Sequence, residues 1–265
     1  MGHLRGMKKP RIIVWDIETS FMLVKSFGLW NQNHSHKNIV QDWYIICICW
    51  KVLGKKKVNT FALDFDNGIT NDYELVKAMR EVLLDCDILI HHNGNAFDLK
   101  KFNSRIIYHG FDPLPRIVCI DTLKQVRKIA KFSSNRLDYL GTHLGLGSKL
   151  ETGGHGLWDG VMEGDPKALK LMIRYCIQDI KLLELVYLKL RGYMKIHPNV
   201  TRNEKSKLGL HGVRCPKCGS YKNNKTRVLR LASGKVHQQY KCLGENCYSY
   251  FQLRKADPNT IITKI

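Results

Sequence analysis

Apolar positions change period several times along the first 190 residues. Residues 11–15 form a β-branched run, residues 43–53 ("WYIICICWKVL") a second and residues 58–63 a third. The Gly54-Lys55-Lys56-Lys57 segment between the last two reads as a hairpin turn. After that the pattern alternates. Residues 71–84 carry Leu75, Met79, Val82 and Leu83 at helical spacing, and 88–92 is a short strand. A helix is expected over 97–109, a strand over 116–120, and helices near 123–130 and 137–144. A glycine-rich stretch then leads into a long helix over 166–190, with Asp165 as N-cap and Pro166 in its first turn. Three early strands in a meander followed by alternating strands and helices predict an α/β fold, a mixed sheet flanked by helices.

Acids break this pattern at three places. The run 11–15 leads straight into Asp16 and Glu18. Side chains two apart share one face of a strand, and two carboxylates that close cost energy unless a cation sits between them. Oxygen ligands of this kind suit hard divalent ions, Mg²⁺ or Mn²⁺. In "LIHHNGNAFDLKKF" a strand ends at the Asn93-Gly94 turn signal and Asp98 opens a helix, where an acid is also an ordinary helix-start residue. In the last helix, Met172, Tyr175, Cys176, Leu182, Leu183 and Val186 make an apolar face that Asp179 interrupts. A charge there needs a buried salt bridge or a metal shared with other carboxylates. Tyr175, four residues earlier, points to the same side. Cys176 reads as a core residue, and His91 and His92 as hydrogen-bonded strand-end residues.

Charge extends the picture to a partner. The net charge is +20, and residues 191–265 carry 16 Lys/Arg against 3 Asp/Glu, whereas residues 1–190 carry 27 against 20. A basic tail beside a near-ordinary domain is the footprint of a polyanion, most often nucleic acid. Asn93, Lys100 and Lys101 are candidate contacts near the acids. Residues 20–42, with Phe27 and Trp30, read either as a surface excursion beside the carboxylates or as a long connection with its aromatics packed down. The glycine-containing segment 146–156 is a candidate cover for the substrate end. No run approaches the ~20 apolar residues of a membrane helix, and no signal peptide is recognisable, so a soluble cytoplasmic protein with no membrane partner is expected.

Cysteines divide between the two regions. Cys47, Cys49, Cys86, Cys119 and Cys176 lie in apolar segments, whereas Cys215, Cys218, Cys242 and Cys247 cluster in the basic tail. "CPKCG" and "CLGENC" flank a hairpin expected about Ser233-Gly234, the outline of a zinc ribbon holding one Zn²⁺. The second pair is spaced by four residues rather than two, so His211 or His237 could replace one cysteine. Arg214, Lys217, Lys222, Lys225, Arg227, Arg230, Lys235 and Lys241, with Tyr221, Tyr240, Tyr248, Tyr250 and Phe251, favour a nucleic-acid-holding role. Such ribbons also bind proteins or merely stabilise a tail. The expected organisation is residues 1–191, a basic linker 192–213 and a ribbon with tail over 214–265.

Taken together, "DIE" after a strand, "NGNAFD" opening a helix and "YCIQD" within a late helix resemble the three motifs of the DEDD 3′→5′ exonucleases, which have an RNase H-like fold. The Tyr175-x-x-x-Asp179 spacing matches the tyrosine subtype, and Arg174 stands where the histidine subtype would want its histidine. The middle motif looks most like family B DNA polymerase exonuclease domains and related stand-alone phage proteins. The tail resembles ribbons attached to phage nucleases and some transposases. The resemblance covers residues 10–190. It implies that Asp16, Glu18, Asp98 and Asp179 hold two divalent ions about 4 Å apart, and that Tyr175 orients the attacking water. The implied products are 5′-mononucleotides, the implied partner nucleic acid, DNA with a free 3′ end, and a separate polymerase or recombination protein is a further candidate. An RNase H-like endonuclease and a non-catalytic nucleic-acid-binding protein are the alternatives.

Overall fold

Strand β1 (Ile12–Thr19) lies at the centre of a five-stranded sheet. The chain leaves it through a small hairpin, β2 (Leu23–Val24) and β3 (Ile39–Gln41), and returns antiparallel as β4 (Ile45–Val52) and then β5 (Asn59–Ala62). Helix α1 (Tyr73–Leu84) leads to β6 (Ile88–His91), α2 (Asp98–Tyr108) to β7 (Val118–Asp121), and α3 (Thr122–Ile129), α4 (Leu137–His143), α5 (Gly156–Met162) and α6 (Pro166–Leu190) follow. Sheet order is β5-β4-β1-β6-β7, with β6 and β7 parallel to β1. The result is a mixed α/β sheet flanked by helices, the RNase H-like arrangement.

In this computed structural model the described residues are 10–148, 154–194, 213–230, 236–245 and 247–254. They belong to two units, Arg11–Val186 and a second made of Met1–Pro10 with Tyr187–Ile265. His211, Lys235, the Ser233-Gly234 turn, most of the expected linker and residues 149–153 of the glycine segment lie outside the described residues. Among the described residues no helix is long and apolar enough to cross a membrane.

Alternation along β1 gives its two faces different tasks. Ile13, Trp15 and Ile17 enter the core, where the Trp15 ring meets Phe102 of α2 edge-on at 5.4 Å. The opposite face carries Asp16 and Glu18 and is covered by α6. Cys176 Sγ lies 3.8 Å from the Asp16 carbonyl, and Cys49 Sγ 4.0 Å from that of Ile173. Further along, Lys51 of β4 and Glu184 of α6 form a buried ion pair, and Glu184 also accepts from Gly54 N–H at 2.7 Å. Removing one partner of such a pair costs about 3–5 kcal/mol, so the contact strongly fixes how α6 lies on the sheet.

In the second unit, β8 (Asn223–Arg230), β9 (Val236–Cys242) and β10 (Tyr250–Arg254) form an antiparallel sheet in the order β10-β9-β8. Among the described residues the apolar cluster against this sheet is small. Tyr240 and Phe251 stack at 5.5 Å beside the buried Cys215, Cys242 and Cys247.

Candidate active site and cysteine cluster

The carboxylates meet at the C-terminal end of β1. Asp16 stands opposite Cys49 and Glu18 opposite Cys47, and a register shift follows between Glu18 and Thr19. Such irregularities commonly sit beside active sites, where they re-aim side chains. Ligand atoms of Asp16, Glu18 and Cys176 all lie within 4.8 Å of one another.

Asp98 arrives from the other side. The parallel pairing of β1 with β6 ends at Val14 and Ile90, and beyond it the chain turns through Asn93–Asp98. Asp98 Oδ1 then accepts from Ile17 N–H at 3.3 Å, a strand amide that β6 no longer reaches. Its side chain also hydrogen-bonds Asp16. Burial pushes the Asp98 carboxyl up to about 6, against the opposing pull of hydrogen bonds from its own N–H, Ile17 and Asp16. Two carboxylates in hydrogen-bond reach require a proton or a cation between them.

Asp179 lies one helical turn beyond Cys176 on the same face of α6 and is only 4% exposed. It is outside the tight group of Asp16, Glu18 and Cys176. Tyr175 meets the ring of Trp158 in α5 edge-on at 6.2 Å, and Trp158 in turn stacks on Phe21 at 6.2 Å. Three carboxylates and the helix face bearing the fourth thus converge on one end of the sheet. An all-oxygen, multiply negative set of this kind fits a hard divalent ion.

Several residues that the motifs did not single out hold this end together. Asp121, 2% exposed, accepts from Asn93 N–H (3.1 Å), Asn95 N–H (3.3 Å) and, as the N-cap of α3, Lys124 N–H (3.2 Å). His91 is fully buried. Its Nδ1 accepts from Trp15 Nε1–H at 3.4 Å, so Nε2 carries the proton and donates to Asn95 Oδ1 at 3.0 Å. Burial lowers its pKa to about 4. A Cβ on Gly94 would lie 2.4 Å from the His91 ring, so only glycine permits this packing. Cys176 is the floor of the site as well as a core residue. Burial, reinforced by the Cys47 and Cys49 thiols, pushes its pKa up. Its signal in the sequence was its place beside Tyr175 and three residues before Asp179.

Candidate nucleic-acid contacts fall in different settings. Asn93 is exposed with φ 67°, and Lys100 is exposed. Lys101 Nζ instead sits 3.5 Å over the Trp43 ring and 5.6 Å from that of Phe97. In the second unit Lys222 and Arg227 are exposed and Arg230 ends β8. Arg214 is drawn inward, donating to Gly219 O at 3.0 Å with its guanidinium 4.9 Å from the Tyr221 ring.

Cys215, Cys218, Cys242 and Cys247 form a separate cluster whose ligand atoms all lie within 4.8 Å. Sγ separations of 3.8 Å (Cys215–Cys247) and 3.5 Å (Cys218–Cys242) are far longer than a disulfide. They match the edge of about 3.8 Å of a tetrahedron with Zn–S bonds of about 2.3 Å. Lys217 N–H and Gly244 N–H point at Cys215 Sγ and Cys242 Sγ at 3.4 and 3.2 Å, which favours thiolates. The four cysteines could therefore hold zinc, and His237 lies outside the group.

Comparison with known proteins agrees with this architecture. A family model described as RNase_H superfamily matches residues 40–191, a stretch that includes Asp98, Tyr175 and Asp179 and begins after Asp16 and Glu18. No curated protein matches the chain. Among solved structures, the family B DNA polymerase from the hyperthermophilic archaeon Pyrobaculum calidifontis is similar, with a TM-score of 0.54 and 16% identity. That match covers 71% of this chain and 25% of the polymerase, so this chain spans about a quarter of that protein's length. With the sheet order, the flanking helices and a family match over more than half its length, the chain belongs to the RNase H superfamily.

Proposed function

We propose that this chain is a metal-dependent 3′→5′ exonuclease that releases 5′-mononucleotides from nucleic acid, a DNA strand with a free 3′ end. The observation that carries this reading is the meeting of Asp16, Glu18 and Asp98 at one sheet end, under the α6 face that bears Tyr175 and Asp179. Two Mg²⁺ or Mn²⁺ ions held by Asp16, Glu18, Asp98 and Asp179 would supply activation of the attacking water and charge neutralisation at the leaving 3′ oxygen. The protein's own part is positional. Tyr175, braced by Trp158, offers a phenol that orients the water beside the scissile phosphate. Asp121 and His91 fix the turn that presents Asp98. No covalent step on the enzyme is needed, and the buried Cys176 serves as packing beneath the acids.

Residues 1–191 carry this activity in our reading. Residues 192–213 link them to a zinc-stabilised ribbon over 214–265, whose exposed Lys222, Lys225, Arg227, Tyr221 and Tyr248 help hold the substrate. Substrates labelled at the 3′ or the 5′ end, single- or double-stranded, DNA or RNA, test the reading together with a closed circle. The 3′ label should appear at once as mononucleotide, the 5′ label only late, and the circle should stay intact. Cleavage of the circle would favour an endonuclease instead.

A further inference from the structure

The hairpin between β1 and β4 turns its apolar side chains outward. Phe27, Leu29 and Trp30 at its tip are 105%, 91% and 83% exposed. A two-stranded hairpin has little stability of its own, and exposed aromatic clusters mark interaction sites. Ser26 Oγ donates to Gly28 O at 2.6 Å and accepts from Gly28 N–H, while Gln32 Nε2 donates to Trp30 O at 2.9 Å. These local side-chain–backbone contacts shape the tip, and its rings are left outside. Its root is anchored where Phe21 stacks on Trp158, which touches Tyr175.

We propose that this hairpin is a base-stacking finger that grips unpaired nucleobases of the substrate strand beside the carboxylate site, an inference that rests on the nuclease reading above. Charge selects this occupant. Residues 20–41 contain no Asp or Glu and flank the tip rings with Lys25 before them and His34, His36 and Lys37 after them. Aromatic faces flanked by lysines and by no acid suit a polyanion with π surfaces, and stacking tolerates any base. A protein partner would leave this one-signed charge without a specific reason.

Binding to fluorescein-labelled oligo(dT) in Ca²⁺, and quenching of 2-aminopurine placed near the 3′ end, test the finger in full-length protein. Phe27→Ala/Trp30→Ala should weaken binding roughly 10- to 100-fold and lose the quenching, while Phe27→Tyr/Trp30→Phe retains both. Hydrolysis of the p-nitrophenyl ester of thymidine 5′-phosphate, too small to reach the tip, should be unchanged. Unaltered oligonucleotide affinity and quenching in the alanine variant would overturn the finger. So would a change only in sedimentation from dimer to monomer, which would assign the rings to a second copy of the chain. Failure of the nuclease reading looks different, because wild-type protein would then release no nucleotide from any substrate while the binding comparison could still be made.

Discussion

Two ligand clusters in this chain are built in opposite ways. The carboxylate site draws Asp16 from β1, Asp98 from the start of α2 and Asp179 from α6, residues spread over most of a large domain. A buried sheet, the Lys51–Glu184 pair and the Asp121 and His91 contacts position them. The cysteine cluster draws its four ligands from two short knuckles around a core of little more than Tyr240 and Phe251. One site is a consequence of a fold that stands without it. The other is a large part of what its fold consists of. Loss of a ligand should therefore cost function in the first case and structure in the second.

The largest effect is expected at the cysteines. Structural zinc contributes on the order of 10 kcal/mol or more to folding of small domains. Cys215→Ser or Cys247→Ser should abolish zinc retention and unfold the ribbon, with loss of its dispersed NMR signals, while the β1–β7 sheet persists. A folded ribbon in the serine variants would erase the contrast.

Next comes the brace of the sheet domain. Glu184→Gln leaves Lys51 buried without its counter-charge and should lower stability by about 3–5 kcal/mol, read from urea unfolding. By contrast, Asp98→Asn should leave metal-free stability unchanged or raise it by up to about 2 kcal/mol, because it removes a buried acid held for function. The two substitutions separate a charge that supports the fold from one that burdens it.

The last effect is a pH slope. His91 is depressed to about 4 in the folded chain, by burial first. Between its ordinary value and 4 the unfolded chain binds the proton and the folded chain does not. Its contribution is therefore complete above pH ~6.5 and is lost as pH falls through 4, amounting to about 3 kcal/mol. The Asp98 carboxyl, raised to about 6, gives the opposite slope between pH 6 and 4, so the His91 part is the difference between wild type and His91→Asn, whose urea midpoints should diverge as pH falls from 7 to 4.

The sequence made the acids legible because each violated a local pattern. Asp16 and Glu18 ended an apolar strand, and Asp179 broke an apolar helical stripe. A mixed sheet flanked by helices followed from three early strands and an alternating remainder, whereas the strand order did not. What stayed hidden depends on register and packing between distant segments. Cys47 and Cys49 stand beneath the acids only because β4 pairs with β1 in one register. Asp121 gains its three amide partners, two of them 26 and 28 residues away, only when the fold brings them together. α5 is only seven residues long, and the β2–β3 hairpin has strands of two and three residues, too short for periodicity to mark either. The 20–42 segment resolves toward the surface excursion at its tip, although Phe21 at its root is packed down.

Counting bound Mn²⁺ by electron paramagnetic resonance in zinc-loaded protein tests the central claim most directly. Wild-type chain should bind two Mn²⁺ ions, and Asp16→Ala and Asp179→Ala should each lose at least one, with circular dichroism and zinc content unchanged and nucleotide release down by about 10³-fold or more. Equal Mn²⁺ uptake and full nucleotide release in both variants would contradict the assignment of these acids to one metal-dependent site.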